Sequence, residues 1–202
     1  MLDRVENDDL LSAGLALMRQ QGRPLTRQAA KGRAMVYATH QGETVRVRTC
    51  NDHVLVVLAE SPGPDAKLNV EGTDFVLIVM PKIPRSPGPV VAYLVPSAVV
   101  AEAARKTHKE WLANNPNTKG NNRTWNLWFD ESGPSKANGF SKTWEQYRLH
   151  GHADTGKSAS APSSTNSPET QKLGQIISIA RREIAAAAGV PESAVRITVD
   201  LA

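Results

Sequence analysis

Between residues 33 and 95 short β-branched runs are separated by Gly, Pro, Asn and Asp, the pattern of strands joined by turns. It predicts strands at 33–39, 44–51, 53–60, 75–80 and 90–95. In the second of these, Val45 and Val47 alternate with Arg46 and Arg48. One face of that strand is therefore core and the other carries two cations side by side. Turns at Gln41 and Gly42, and at Asn51 and Asp52, are expected to close two successive hairpins. The run 75–80 is apolar throughout, which predicts a central strand covered on both faces. The proline-rich stretch 81–89 cannot sit inside a sheet.

A helical period takes over elsewhere. Leu10, Leu11, Leu15, Leu17 and Met18 place a helix at 7–21, capped by Asn7 or Asp8 and stopped by Gly22 and Pro24. It reads as a helix packed on the sheet rather than a recognition helix. Pro96 and Ser97 launch a second helix to about residue 114, with Ser97 as its cap. Val100, Ala104 and Trp111 mark its buried side; Arg105, Lys106, His108 and Lys109 mark its outer side. A strand at 123–129 and a short aromatic helix at 140–149 follow.

From Gly151 to Ser167 the chain is Ser, Thr, Ala, Pro and Gly without apolar period, the composition of a flexible tether. Leu173, Ile176, Ile177, Ala180 and Ile184 then recur at helical spacing, and Val195, Ile197, Val199 and Leu201 alternate as a strand. The expected fold class is α/β (α+β), a central mixed β-sheet flanked by helices. Its core is 1–150, its linker 151–167, and its C-terminal helix–strand unit, 168–202, must dock on another surface to bury its apolar stripe.

Composition narrows the function classes modestly. The 202 residues carry a net charge of +4, which suits a polyanion partner without requiring one. The single cysteine, Cys50, excludes an internal disulfide and a cysteine zinc site. It reads as a passive thiol even with His53 three residues on. No run approaches the ~20 apolar residues of a membrane span. The first six residues lack a secretory pattern, so the expected location is cytoplasmic. His150 and His152 are closely spaced but fall at the start of the tether, and read as chance. Thr155, Gly156, Lys157 and Ser158 lack the preceding glycine of a phosphate loop. There is no Gly-x-Ser-x-Gly elbow.

Four stretches resemble the PD-(D/E)XK nuclease superfamily, in particular small endonuclease-like proteins of mobile elements. They are the helix at 8–21, the strand Val45, Arg46, Val47, Arg48 and Thr49, the paired runs 74–80 and 91–96, and the strand at 123–125 followed by the aromatic segment 144–147. The resemblance spans roughly residues 7–150 and implies a restriction-endonuclease-like core. The family holds a divalent metal with carboxylates on its hairpin strands, and metal and carboxylates together activate water. Here the matching second-strand positions are Arg46 and Arg48, and residues 33–39 contain no carboxylate. Arginine cannot ligate a metal. The resemblance therefore implies a degenerate metal site, with no cofactor expected.

Three readings of function stay open. The first is a catalytically impaired, nuclease-like DNA-binding protein, regulatory or anti-restriction in character. It would use Arg27, Lys31, Arg33, Arg46 and Arg48 near one sheet face. The second is a protein-binding adaptor or inhibitor acting through Trp125, Trp128 and Trp144 with neighbouring arginines. The plainer account of those tryptophans is a satellite core. The third is an active Mg²⁺-dependent endonuclease with a relocated site at Glu43, Asp52 or Asp74. The expected partner is DNA, with a protein partner and a homodimer left open.

Overall fold

The strand at the centre of the fold is β5, Phe75–Pro81. In the computed structural model it lies between β3, Thr44–Thr49, which runs parallel to it, and β6, Val90–Pro96, which runs antiparallel. Beyond β3 the sheet continues, antiparallel, through β2, Val36–Ala38, to the two-residue edge strand β1, Thr26–Arg27. The order is β1-β2-β3-β5-β6, so the sheet is mixed. The structure describes residues 4–29, 35–63, 65–117, 122–130 and 139–155, all within one compact unit, residues 1–157. The expected C-terminal helix–strand unit and most of the expected linker lie outside the described residues.

Because residues 76–80 are apolar without a break, β5 feeds two cores. On one face Leu77 and Val79 join Val45, Val47, Ala92 and Leu94 beneath α1, Asn7–Gln20, which contributes Leu10, Leu17 and Met18. Gly14 lets this helix come close: a methyl group added there would run into the Val79 side chain. On the other face Val76, Ile78 and Met80 join Tyr93 and Val95. That face is covered by α2, Ser97–Asn114, through Val100, Ala101 and Ala104. It is also covered by a two-stranded antiparallel ribbon of β4, Val54–Leu58, and β7, Thr124–Trp128. Each fully buried Leu, Ile or Val contributes about 1.5–3 kcal/mol relative to exposure. Among the described residues no helix is long and apolar enough to cross a membrane.

Several sequence expectations change. Asn51 and Asp52 do not close a hairpin, because β3 pairs with β5 and β4 pairs with β7. His53 adopts φ 54°, in the left-handed region, where the chain leaves the main sheet. Its ring bonds the Pro81 carbonyl at 2.6 Å. Leu55 and Val57 are then free to bury over the second core. Neither expected helix cap forms. The residue before α1 is Glu6, with no side-chain cap, and Ser97 is the first residue of α2, its hydroxyl 3.2 Å from that of Thr73. The aromatic helix is one short turn, α3, Phe140–Thr143, followed by a 3₁₀ turn, Glu145–Tyr147.

The first residues of the expected tether are held rather than loose. Residues 148–155 run beside β6, with Leu149 N–H on the Ala92 carbonyl and Thr155 N–H on the Gly88 carbonyl, both at 2.9 Å. Gln20, the last residue of α1, and Gln21, just after it, donate to the carbonyls of His152 and His150. Both histidines thus lie on a backbone strap with structural bonds.

Candidate functional site

Alternation along β3 sends Val45 and Val47, 0% and 1% exposed, into the α1 core. Arg46 and Arg48 consequently face the other side. Arg46 lies opposite Val36 of β2 and Val76 of β5; Arg48 lies opposite Ile78 of β5. The ribbon closes over this part of the sheet, so both arginines are half-buried. Arg48 Nη2 donates to the Val56 carbonyl on the outer edge of β4, at 2.8 Å. Arg46 Nε is buried with no hydrogen-bond partner among the described residues. Burial, and then the charge on Arg48, hold the Arg46 guanidinium below its ordinary range, though it stays a cation.

Four arginines are half-buried among the described residues. Arg23 pairs with Glu43 at 2.7 Å and Arg105 with Glu71 at 2.9 Å. Arg46 and Arg48 have no carboxylate partner among the described residues. Arg27 does not join them: it sits opposite Tyr37, whose ring belongs to the α1 face, so it projects from the other side of the sheet. Lys31 and Arg33 lie outside the described residues. Of the five expected basic residues, the described part of the structure brings Arg46 and Arg48 together and sends Arg27 to the opposite side.

The three candidate carboxylates are each engaged elsewhere. Glu43 accepts from Arg23 and from Thr39 Oγ1 at 3.0 Å, and these bonds hold its carboxyl below the ordinary range. Asp74 accepts from the Thr44 amide and hydroxyl, both at 2.7 Å, which lowers it likewise. Asp52, beyond the far end of β3, pairs with Arg4 at 3.0 Å and with Arg85. The six residues of β3 separate the two groups by roughly 17 Å at strand rise. Among the described residues no three His, Cys, Asp or Glu side chains converge. Cys50 is buried, and burial pushes its thiol up to about 12, which leaves no thiolate for nucleophilic chemistry.

The tryptophans divide. Trp125 and Trp144 are each 2% exposed and belong to the second core, Trp144 meeting Phe140 and Phe129 at 4.7 and 5.6 Å. They have no surface left for a partner. Trp128 is half-buried on the other face of β7. Sequence reasoning missed His108, which it placed on the outer side of α2. The ring is 7% exposed and stacked on Trp125 at 4.3 Å and 12°, with Trp111 at 5.9 Å and 17°. Burial holds its imidazole below the ordinary histidine range, hence neutral at pH 7. Its neighbours Arg105, Lys106 and Lys109 made it look solvated, and nothing local signals that β7 lies against it.

No family model, curated protein or solved structure matches this chain.

Proposed function

We propose that this chain binds nucleic acid non-catalytically, on a restriction-endonuclease-like core whose metal chemistry has been lost, with Arg46 meeting backbone phosphate and Arg48 behind it. One observation carries the reading: the half-buried pair without a carboxylate among the described residues. Two neighbouring, partly desolvated cations without a counter-charge raise the free energy of the folded chain. A phosphate oxygen supplies that charge and accepts from the guanidinium fork. The engagement of Glu43, Asp52 and Asp74 in other bonds favours binding over hydrolysis. The burial of Trp125 and Trp144 favours it over a tryptophan-led protein interface. DNA is the expected ligand, and a regulatory or anti-restriction role on a mobile element follows from the sequence resemblance.

The test is a salt-titrated binding measurement with duplex DNA. Each phosphate contact contributes a slope of about −0.9 in log K against log salt. Arg46→Met is expected to flatten that slope by about one unit in a folded protein. A parent that fails to bind duplex or single strands at ~50 mM salt would overturn the reading.

A further inference from the structure

We propose that the groove between the C-terminal half of α2 and the edge of β7 left unpaired among the described residues binds a flat heteroaromatic ring of the nucleobase type, adenine being the base its hydrogen-bonding groups fit. This goes beyond the phosphate-binding reading and does not depend on it. The cavity is about 150 Å³ and is bounded by Thr107, His108 and Trp111 of α2 and by Trp125, Asn126 and Trp128 of β7. One water needs ~15 Å³ by this measure, so the space is ring-sized. Among the described residues no acidic or basic side chain other than the neutral His108 lines it. Trp111 and Trp128 are half-buried, which leaves indole surface for stacking.

Two polar features give the groove chemistry. His108 is 7% exposed, lines the cavity and makes no hydrogen bond among the described residues. A ligand in the groove would offer this imidazole a hydrogen-bond partner, since its neutral ring carries one donor and one acceptor nitrogen.

The second feature is the backbone of Asn126. Directly opposite residues of an antiparallel pair either bond each other or both point outward. The Val56 carbonyl points outward, to Arg48, so its partner Asn126 also turns its N–H and C=O outward, off that edge of β7. The same parity is visible at both ends. Thr124 N–H reaches Asn122 Oδ1 at 2.9 Å, and the Trp128 carbonyl accepts from Gly139 N–H at 3.1 Å. The cavity touches Trp125 from one face of β7 and Asn126 and Trp128 from the other, so it lies along this edge. Asn126 thus presents a donor beside an acceptor, with aromatic rings on either hand. Adenine offers the complement, an acceptor N7 beside the N6 amino group. Asn122 and Gly139 stop the edge at each end, which disfavours an added peptide strand and suits a ligand that takes a single pair.

The test is titration of the full chain with adenosine, read by tryptophan fluorescence and by the His108 ring signals in NMR. Adenosine carries no phosphate, so its binding and DNA binding through Arg46 succeed or fail separately. Saturable quenching together with a shift of the His108 resonances is expected. Trp128→Ala should weaken binding roughly five- to a hundredfold, the range for loss of one base–aromatic stack, and Asn126→Pro, which removes the edge N–H, should weaken it as well. Circular dichroism checks that each variant is folded. If neither variant folds, the parent's His108 signals decide alone: unmoved at saturating adenosine, they overturn the proposal. Absence of saturable quenching, or equal affinity in folded Trp128→Ala, overturns it too. So does quenching by a capped extended tetrapeptide but not by adenosine, which would make the edge a strand-docking site.

Discussion

Replacing Arg46 by methionine should make the protein more stable and a poorer DNA binder, two effects of opposite sign from one side chain. Methionine keeps most of the unbranched stem and removes the guanidinium. In the parent, Arg46 Nε is buried without a partner among the described residues. An unsatisfied buried donor costs about 1–3 kcal/mol. Arg48, two residues along the strand, lies roughly 6.6 Å away at Cβ, and like charges at that range repel by about 0.6 kcal/mol even at water's dielectric. Some of this cost is lost to water reaching the half-buried fork, so a net gain of about 1–2 kcal/mol is expected. For a chain of this length that raises Tm by roughly 2–8 °C. Differential scanning calorimetry, with a urea melt to confirm an unchanged m value, measures the first effect. Fluorescence anisotropy with duplex DNA across a salt series measures the second, a slope flatter by about one unit. A methionine variant that melts lower and binds DNA with the parental slope would refute the reasoning, because Arg46 would then be a prop of the fold.

His108 gives a pH signature. Its folded pKa lies below the ordinary value of 6.5 through burial, so between the two the unfolded chain holds the extra proton. The stabilisation is fully present above about pH 6.5 and declines as pH falls from there. His108→Phe should flatten the Tm profile between about pH 7 and pH 5, and an unchanged profile would count against a buried neutral ring. Glu43, Glu71 and Asp74 have lowered values, so their contributions fade only in more acid solution. Millimolar Mg²⁺ or Mn²⁺ should neither shift Tm nor permit plasmid nicking. Metal-dependent nicking abolished by Asp74→Ala or Glu43→Ala would restore the nuclease. Gly14→Val should lower the urea-derived stability by about 1–3 kcal/mol through overpacking against Val79, and a neutral result would show that α1 rides higher on the sheet.

The sequence by itself determined the elements and their faces. The stripe through Leu10, Leu17 and Met18 specified α1, and the unbroken apolar run of β5 specified a strand buried on both sides. Alternation at 45–48 put two arginines on the face opposite two valines. These properties follow from the 3.6- and 2-residue periods of the backbone, which act on each segment alone. Only the tertiary structure decided that β4 leaves the sheet for β7, that Arg48 meets the Val56 carbonyl, and that His108 lies between Trp111 and Trp125. Strand pairing is a competition among distant segments for the same backbone hydrogen bonds and the same apolar cover. β5 took the edge of β3 that an Asn51–Asp52 hairpin would have used. Once β4 had paired elsewhere, a histidine in a basic stretch of helix became a buried ring, and an alternating arginine became half-buried without a counter-charge among the described residues.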